Sequence, residues 1–226
     1  MDFNYLGTGQ FNTAIGSSAL YSNTTGGYNT CIGYAAYPSS STLLNYTGIG
    51  YFTGSLSSTS NMVEIGNTSV GTIRGQVNFS TYSDARIKKN VKSNVPGLAF
   101  ISKLNPVTYN LDIHAQNSIM NRADRKPEAD WDGKYDIERV TQTGFIAQDV
   151  AEAAKSLNYD FNGVDLPKNP DDLYSLRYSE FVVPLVKAIQ EQQQIIESER
   201  AKIKALEQKN EQLESRLKAI EEKLSK

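Results

Sequence analysis

The chain is poor in the residues that most enzymes and metal proteins depend on. Its 226 residues include one cysteine, Cys31, and one histidine, His114. A single cysteine excludes a disulfide framework, and one Cys with one His argues against a Cys/His metal site. A Ser-His-Asp triad is excluded unless His114 belongs to it. No metal and no cofactor is therefore expected, and any catalysis falls to Ser, Thr, Lys, Asp, Glu or Tyr. No run of 18 apolar residues occurs, so no spanning helix and no membrane insertion are expected. The opening "MDFNYLGTGQ" has neither the basic region nor the apolar core of a secretory signal. The formal net charge of −2 gives no general attraction to nucleic acid or anionic lipid.

Charge is also missing locally. Residues 1–80 carry only Asp2, Glu64 and Arg74, amid Gly, Ser, Thr, Asn and Tyr. A repeat runs through this stretch: "NTAIG" (12–16), "NTCIG" (29–33), "YTGIG" (46–50) and "MVEIG" (62–66), with a weaker first copy at Leu6–Gly7. The isoleucines Ile15, Ile32, Ile49 and Ile65 are spaced 17, 17 and 16. A fixed short period predicts one structural unit stacked on itself, and short apolar stretches between Gly/Asn/Ser turns predict strands. No single unit can bury its own apolar face, so units must stack on neighbours or on copies from other chains.

Residues 83–180 read as a mixed globular domain. "VPGLAFISKL" (95–104) predicts a short helix, "PVTYNL" (106–111) a strand, and "GFIAQDV" (144–150) a strand running into a helix over 147–156. The polar "NRADRKPEADWDGKYDIERV" (121–140), broken by Pro127 and Gly133, predicts a long loop or arm.

Residues 181–226 predict a long helix, with Ser179 as its N-cap and Pro184 in the first turn, where a missing N–H matters least. A heptad starts at Ile189. One core row is Ile189, Ile196, Ile203, Asn210, Leu217 and Leu224, and the other is Gln192, Glu199, Leu206, Leu213 and Ile220. With the first row at position a, the g-to-e pairs are Lys202–Glu207, Lys209–Glu214 and Arg216–Glu221, all opposite in sign. That pattern predicts a parallel coiled coil of identical chains. Ile at a, Leu at d and Asn210 at a favour two chains, whereas a narrow β-stalk favours three, so both numbers stay open.

Between the repeats and the helix, "NFSTYSDARIKKNVKSN" (78–94) brings in Asp84, Arg86, Lys88, Lys89 and Lys92 at once. Ser83 precedes Lys88 by five positions. A Ser-Lys pair performs acyl transfer without histidine when the lysine is neutral, which takes burial or positive neighbours such as Arg86 and Lys89. The spacing alone is a common one, and it leaves Lys89 as an alternative partner for Ser83.

Four blocks in order make the junction more specific: "YSDARIKKNV" (82–91), "LNPVTYNL" (104–111), "GFIAQDVAEA" (144–153) and "LRYSEFVVPLVKAIQEQ" (176–192). Together they resemble the C-terminal intramolecular chaperone domain of endosialidases, phage tail fibres and tailspikes, and myelin regulatory factor, over 83 to about 200. The Ile-Gly repeats resemble the head and stalk repeats of trimeric adhesins and phage fibres. The resemblance implies an α+β chain: a trimeric, β-helix- or β-roll-like stalk over 1–80, a small mixed chaperone core over 83–180, and a parallel coiled coil over 181–226. It implies a homotrimer that folds and registers the rest of a fibre protein on a virion, a phage-tail-like particle or a cell surface. It further implies self-cleavage at Tyr82–Ser83, with Ser83 as nucleophile, Lys88 as base, and Asp84 and Arg86 as positioning groups.

A second reading keeps the chain intact. The C-terminal part is then a permanent trimeric cap on a distal fibre or adhesin segment, and exposed tyrosines on the repeats suit a host-surface receptor or glycan. A DNA-binding role finds no recognition helix and no basic surface beyond the junction.

Overall fold

The computed structural model describes residues 8–54, 59–119, 131–169 and 172–225. The fold is mixed α/β, with small sheets and a long C-terminal helix. The chain divides into two compact units that alternate along the sequence. One comprises Met1–Tyr82, Pro106–Gly144 and Leu166–Tyr174; the other comprises Ser83–Asn105, Phe145–Asp165 and Ser175–Lys226.

The repeats of the first unit form a ladder of short strands, β1 (Thr13–Ile15), β2 (Thr30–Ile32), β3 (Tyr46–Ile49) and β4 (Met62–Ile65), all parallel and in chain order. The register follows the sequence period, so that Ile15 faces Ile32, Ile32 faces Ile49 and Ile49 faces Ile65. The glycine ending each repeat is required by sterics. Gly33 sits at φ +134°, and a Cβ there would lie 2.2 Å from the carbonyl oxygen of Gly50 in the next repeat. Asparagines tie successive repeats together: Asn12 Oδ1 accepts from Asn29 N, and Asn29 Oδ1 accepts from Tyr46 N, both at 2.9 Å. Leu20, Cys31, Ala36, Leu43 and Tyr46 form the buried core, while the Ile15–Ile65 row lies exposed on the outside. The weak copy at Leu6–Gly7 lies outside the described residues.

The same unit contains the antiparallel pair β5 (Val107–Tyr109) and β6 (Gln142–Gly144), and the helix α1 (Ile113–Ile119). Of the arm expected over 121–140, residues 121–130 lie outside the described residues. The remainder is a turn followed by a 3₁₀ turn at Asp136–Arg139. Asp112 caps α1 by accepting from Ala115 N at 2.7 Å, and Glu138 adds to the cap by accepting from Ile113 N at 2.8 Å. Lys134 is buried, with its ammonium 5.0 Å from the ring of Trp131 and 5.3 Å from that of Tyr135. His114 stacks on Tyr135 at 4.2 Å.

The second unit has an aromatic core of Phe100, Phe161 and Phe181 with Val150, Ala153 and Ala154. It is assembled from α2 (Leu98–Ile101), α3 (Ala147–Ser156), the two-residue strands β7 (Val164–Asp165) and β8 (Ser175–Leu176), and α4 (Val182–Leu224). Ser179 is not the N-cap of α4. It lies within a 3₁₀ turn, Tyr178–Phe181, that leads directly into the helix, and its carbonyl accepts from Val182 N. Pro184 then falls on the third helical residue, where an N–H has no intrahelical acceptor. Among the described residues no helix is long and apolar enough to cross a membrane.

Candidate catalytic site

The junction is built by one short bend. Asp84, in extended backbone, caps the 3₁₀ turn Ala85–Ile87 by accepting from Arg86 N at 2.8 Å. Its carboxylate also receives the Arg86 side chain as a fork, with Nε 3.0 Å from both oxygens and Nη2 2.6 Å from Oδ2. Lys88 is the C-cap of this turn, and its backbone N–H bonds to Ala85 O. One tight turn between positions 84 and 88 brings the lysine back toward the start of the motif. Lys88 Nζ donates to Ser83 Oγ at 2.8 Å. The bond to Ser83 comes from Lys88 and not from Lys89.

The electrostatics of the pair Asp84–Arg86 are settled locally. The Arg86 side chain, with a further contribution from its backbone N–H, holds the Asp84 carboxyl below the usual aspartate range. Asp84 in turn pushes the Arg86 guanidinium up. Arg86 is thereby paired with Asp84 across the turn that Asp84 caps.

In the single chain every residue from 71 to 94 is exposed, Ser83 and Lys88 included, and Tyr82 is 94% exposed. A lysine acts as a base only after desolvation or crowding by positive charge. The geometry for proton transfer is thus present in one chain, whereas the dry surroundings that the chemistry requires are not. Among the described residues no group of three or more His, Cys, Asp or Glu is arranged to hold a metal.

The residues expected in the coiled-coil seam all lie on α4. Ile189, Ile196, Ile203, Leu206, Leu213, Leu217, Ile220 and Leu224 are exposed in the single chain, as are the polar Gln192, Glu199 and Asn210. The sequence reading did not foresee the ring of contacts around Gly97. A Cβ at Gly97 would lie 2.7 Å from Ala188 N, and Glu191 Oε2 accepts from Leu98 N at 2.8 Å. Gly97 after Pro96 was the available signal for such a close approach.

Residues 83–159, about a third of the chain, match the family model described as the chaperone of endosialidase. The match opens on Ser83. The match supports a chaperone-type domain in that segment. No curated protein and no solved structure matches the chain.

Proposed function

We propose that this chain, with its chaperone-of-endosialidase domain over 83–159, is a trimerising intramolecular chaperone that folds and registers a phage-type tail fibre or tailspike and then releases itself at Tyr82–Ser83. The observation that carries this reading is the 2.8 Å contact between Lys88 Nζ and Ser83 Oγ at the first residue of the domain match.

The chemistry is an acyl shift followed by hydrolysis. Ser83 Oγ, deprotonated by a neutral Lys88 amine, attacks the carbonyl carbon of Tyr82. A C–O bond forms, the Tyr82–Ser83 C–N bond breaks, and the proton held by Lys88 passes to the released α-amine of Ser83. Water then hydrolyses the ester, giving the Tyr82 carboxylate and restoring the Ser83 hydroxyl. The Asp84–Arg86 clamp positions Lys88 without touching the reacting atoms. Because the dyad is solvent-exposed in one chain, the reaction waits for assembly to cover it.

Such a device addresses a physical problem. Near-identical repeats slip register at little cost, and contacts between chains must overcome association entropy first. A parallel coiled coil forms from local contacts and holds the repeats at an effective concentration on the order of millimolar. Release after assembly removes the template, and the stalk then persists by kinetic stability. The exposed Ile15, Ile32, Ile49 and Ile65 row supports inter-chain packing of the stalk. The working place is a virion fibre, a phage-tail-like particle or a cell surface.

The exposure of the dyad also favours a second reading, in which the chain stays intact as a trimeric cap. A denaturing gel with intact-mass analysis separates the two. Fragments ending at Tyr82 and starting at Ser83, absent in Ser83→Ala and Lys88→Ala, are expected from self-release; an uncut assembled chain supports the permanent cap.

A further inference from the structure

Phe181 and the first ten residues of α4 carry two apolar faces, and only one of them is used within the chain. Phe181, Pro184 and Ala188 are buried, and Glu191 continues this face by holding the start of α2 through Leu98 N at 2.8 Å. The spacing 181, 184, 188, 191 is that of a single helical stripe. Val182, Leu185, Val186 and Ile189 form a second stripe at the same kind of spacing, between 43% and 65% exposed. At 3.6 residues per turn the two stripes lie roughly 120° apart around the helix. Four adjacent apolar side chains on a rigid helix form a patch that a soluble surface rarely leaves open.

The phase of the outer stripe identifies what covers it. Val182 lies seven residues before Ile189, and Leu185 seven before Gln192. The stripe is therefore the coiled-coil seam continued one heptad toward the N-terminus, with a β-branched residue at a and Leu at d. The distal charge pairs Lys202–Glu207, Lys209–Glu214 and Arg216–Glu221 complement a parallel copy of the same helix, and Asn210 in the a row favours the unshifted register. With that register imposed, the Val182–Ile189 face of one chain meets the same face of the next.

We propose that the contact between copies begins at Val182, within the chaperone body, and that a second copy of this chain covers Val182, Leu185, Val186 and Ile189. The inference rests on the parallel assembly proposed above. It adds apolar layers where the seam is polar at Gln192 and Glu199. It also makes α4 a two-sided strut, joined to its own body through Gly97, Ala188 and Glu191 and to its neighbour through the outer stripe. Assembly then fixes the bodies themselves in register, along with the segment from Ser83 to Gly97 that leads out of them.

Sedimentation of the whole chain carrying Ser83→Ala, over a range of concentrations, tests this. Val182→Ser/Leu185→Ser is expected to raise the dissociation midpoint about tenfold or more while the far-ultraviolet helix signal persists. A variant in the distal seam, Leu213→Ser/Leu217→Ser, is expected to weaken assembly as well. Should the first variant misfold, Leu185→Cys in the otherwise unchanged chain gives the answer. Under mild oxidant it is expected to form a disulfide between copies, and Val183→Cys is not. An assembled chain with no Leu185→Cys cross-link, or with an unchanged midpoint in a folded Val182→Ser/Leu185→Ser, overturns this inference alone. A parent chain that sediments as a single copy throughout overturns the parallel assembly and this inference together.

Discussion

Lys88 Nζ donates a 2.8 Å hydrogen bond to Ser83 Oγ across one 3₁₀ turn that starts at Asp84. Two residues five apart meet across a turn whose first residue, Asp84, caps it and pairs with Arg86. Position and surroundings are thus separate requirements for this pair. The local turn satisfies the first, and the proposed assembly would supply the second.

The clamp has a definite pH dependence. Arg86 lowers the Asp84 pKa in the folded chain, so the contribution of the pair is fully present above the ordinary aspartate value of about 3.9 and is lost as pH falls through the lower folded value. Carboxyl resonances followed by NMR are expected to place the Asp84 midpoint below that ordinary value, and Arg86→Ala is expected to raise it. An Asp84 midpoint unchanged in Arg86→Ala contradicts the clamp.

Gly33→Ala is expected to destabilise the ladder. The substitution forces a side chain into φ +134° and against the Gly50 carbonyl at 2.2 Å, a strain of roughly 1–3 kcal/mol before the clash is counted. A fall of about 2–4 °C in melting temperature per kcal/mol follows for a chain of this size. Gly71→Ala is the control, since a Cβ there meets no atom within 4 Å; its melting curve should overlay that of the parent.

Cys31 is expected to be inert in the native chain. Burial pushes its thiol from 9.0 up to about 12. A thiol-exchange reagent at pH 8 should therefore react only after denaturation. Between about 9 and about 12 the unfolded chain loses the proton that the folded chain keeps, so stability should fall as pH rises through that window. A Cys31→Ala chain should lose that part of the alkaline decline.

Much of this organisation is written in periodicity. The Ile-Gly repeats specify a parallel register that pairs Ile15 with Ile32 and Ile32 with Ile49, and Pro96–Gly97 marks the start of α2. Elements without a period are harder to read. Helix α1 buries only Ile113, and although Asp112 caps it locally, the acceptor of its first N–H, Glu138, comes from 25 residues away. Strands β7 and β8 have two residues each, too few for any alternation to show. The start of α4 differs from the sequence reading because the 3₁₀ turn at Tyr178–Phe181 takes the place of a Ser179 cap. At the junction the residue types were legible, whereas the Ser83–Lys88 contact depends on a turn whose clamp is a three-dimensional fact.

The coupling of self-release to assembly is tested most directly by timing the two together. Freshly refolded chain is sampled over a range of concentrations, with intact mass reporting the fragments 1–82 and 83–226 and sedimentation reporting the assembled fraction. Cleavage at Tyr82–Ser83 is expected to follow the assembled fraction and to disappear in Ser83→Ala and in Lys88→Ala. Cleavage at the same rate in isolated single chains, or a fully assembled chain that stays uncut, would rule out this coupling.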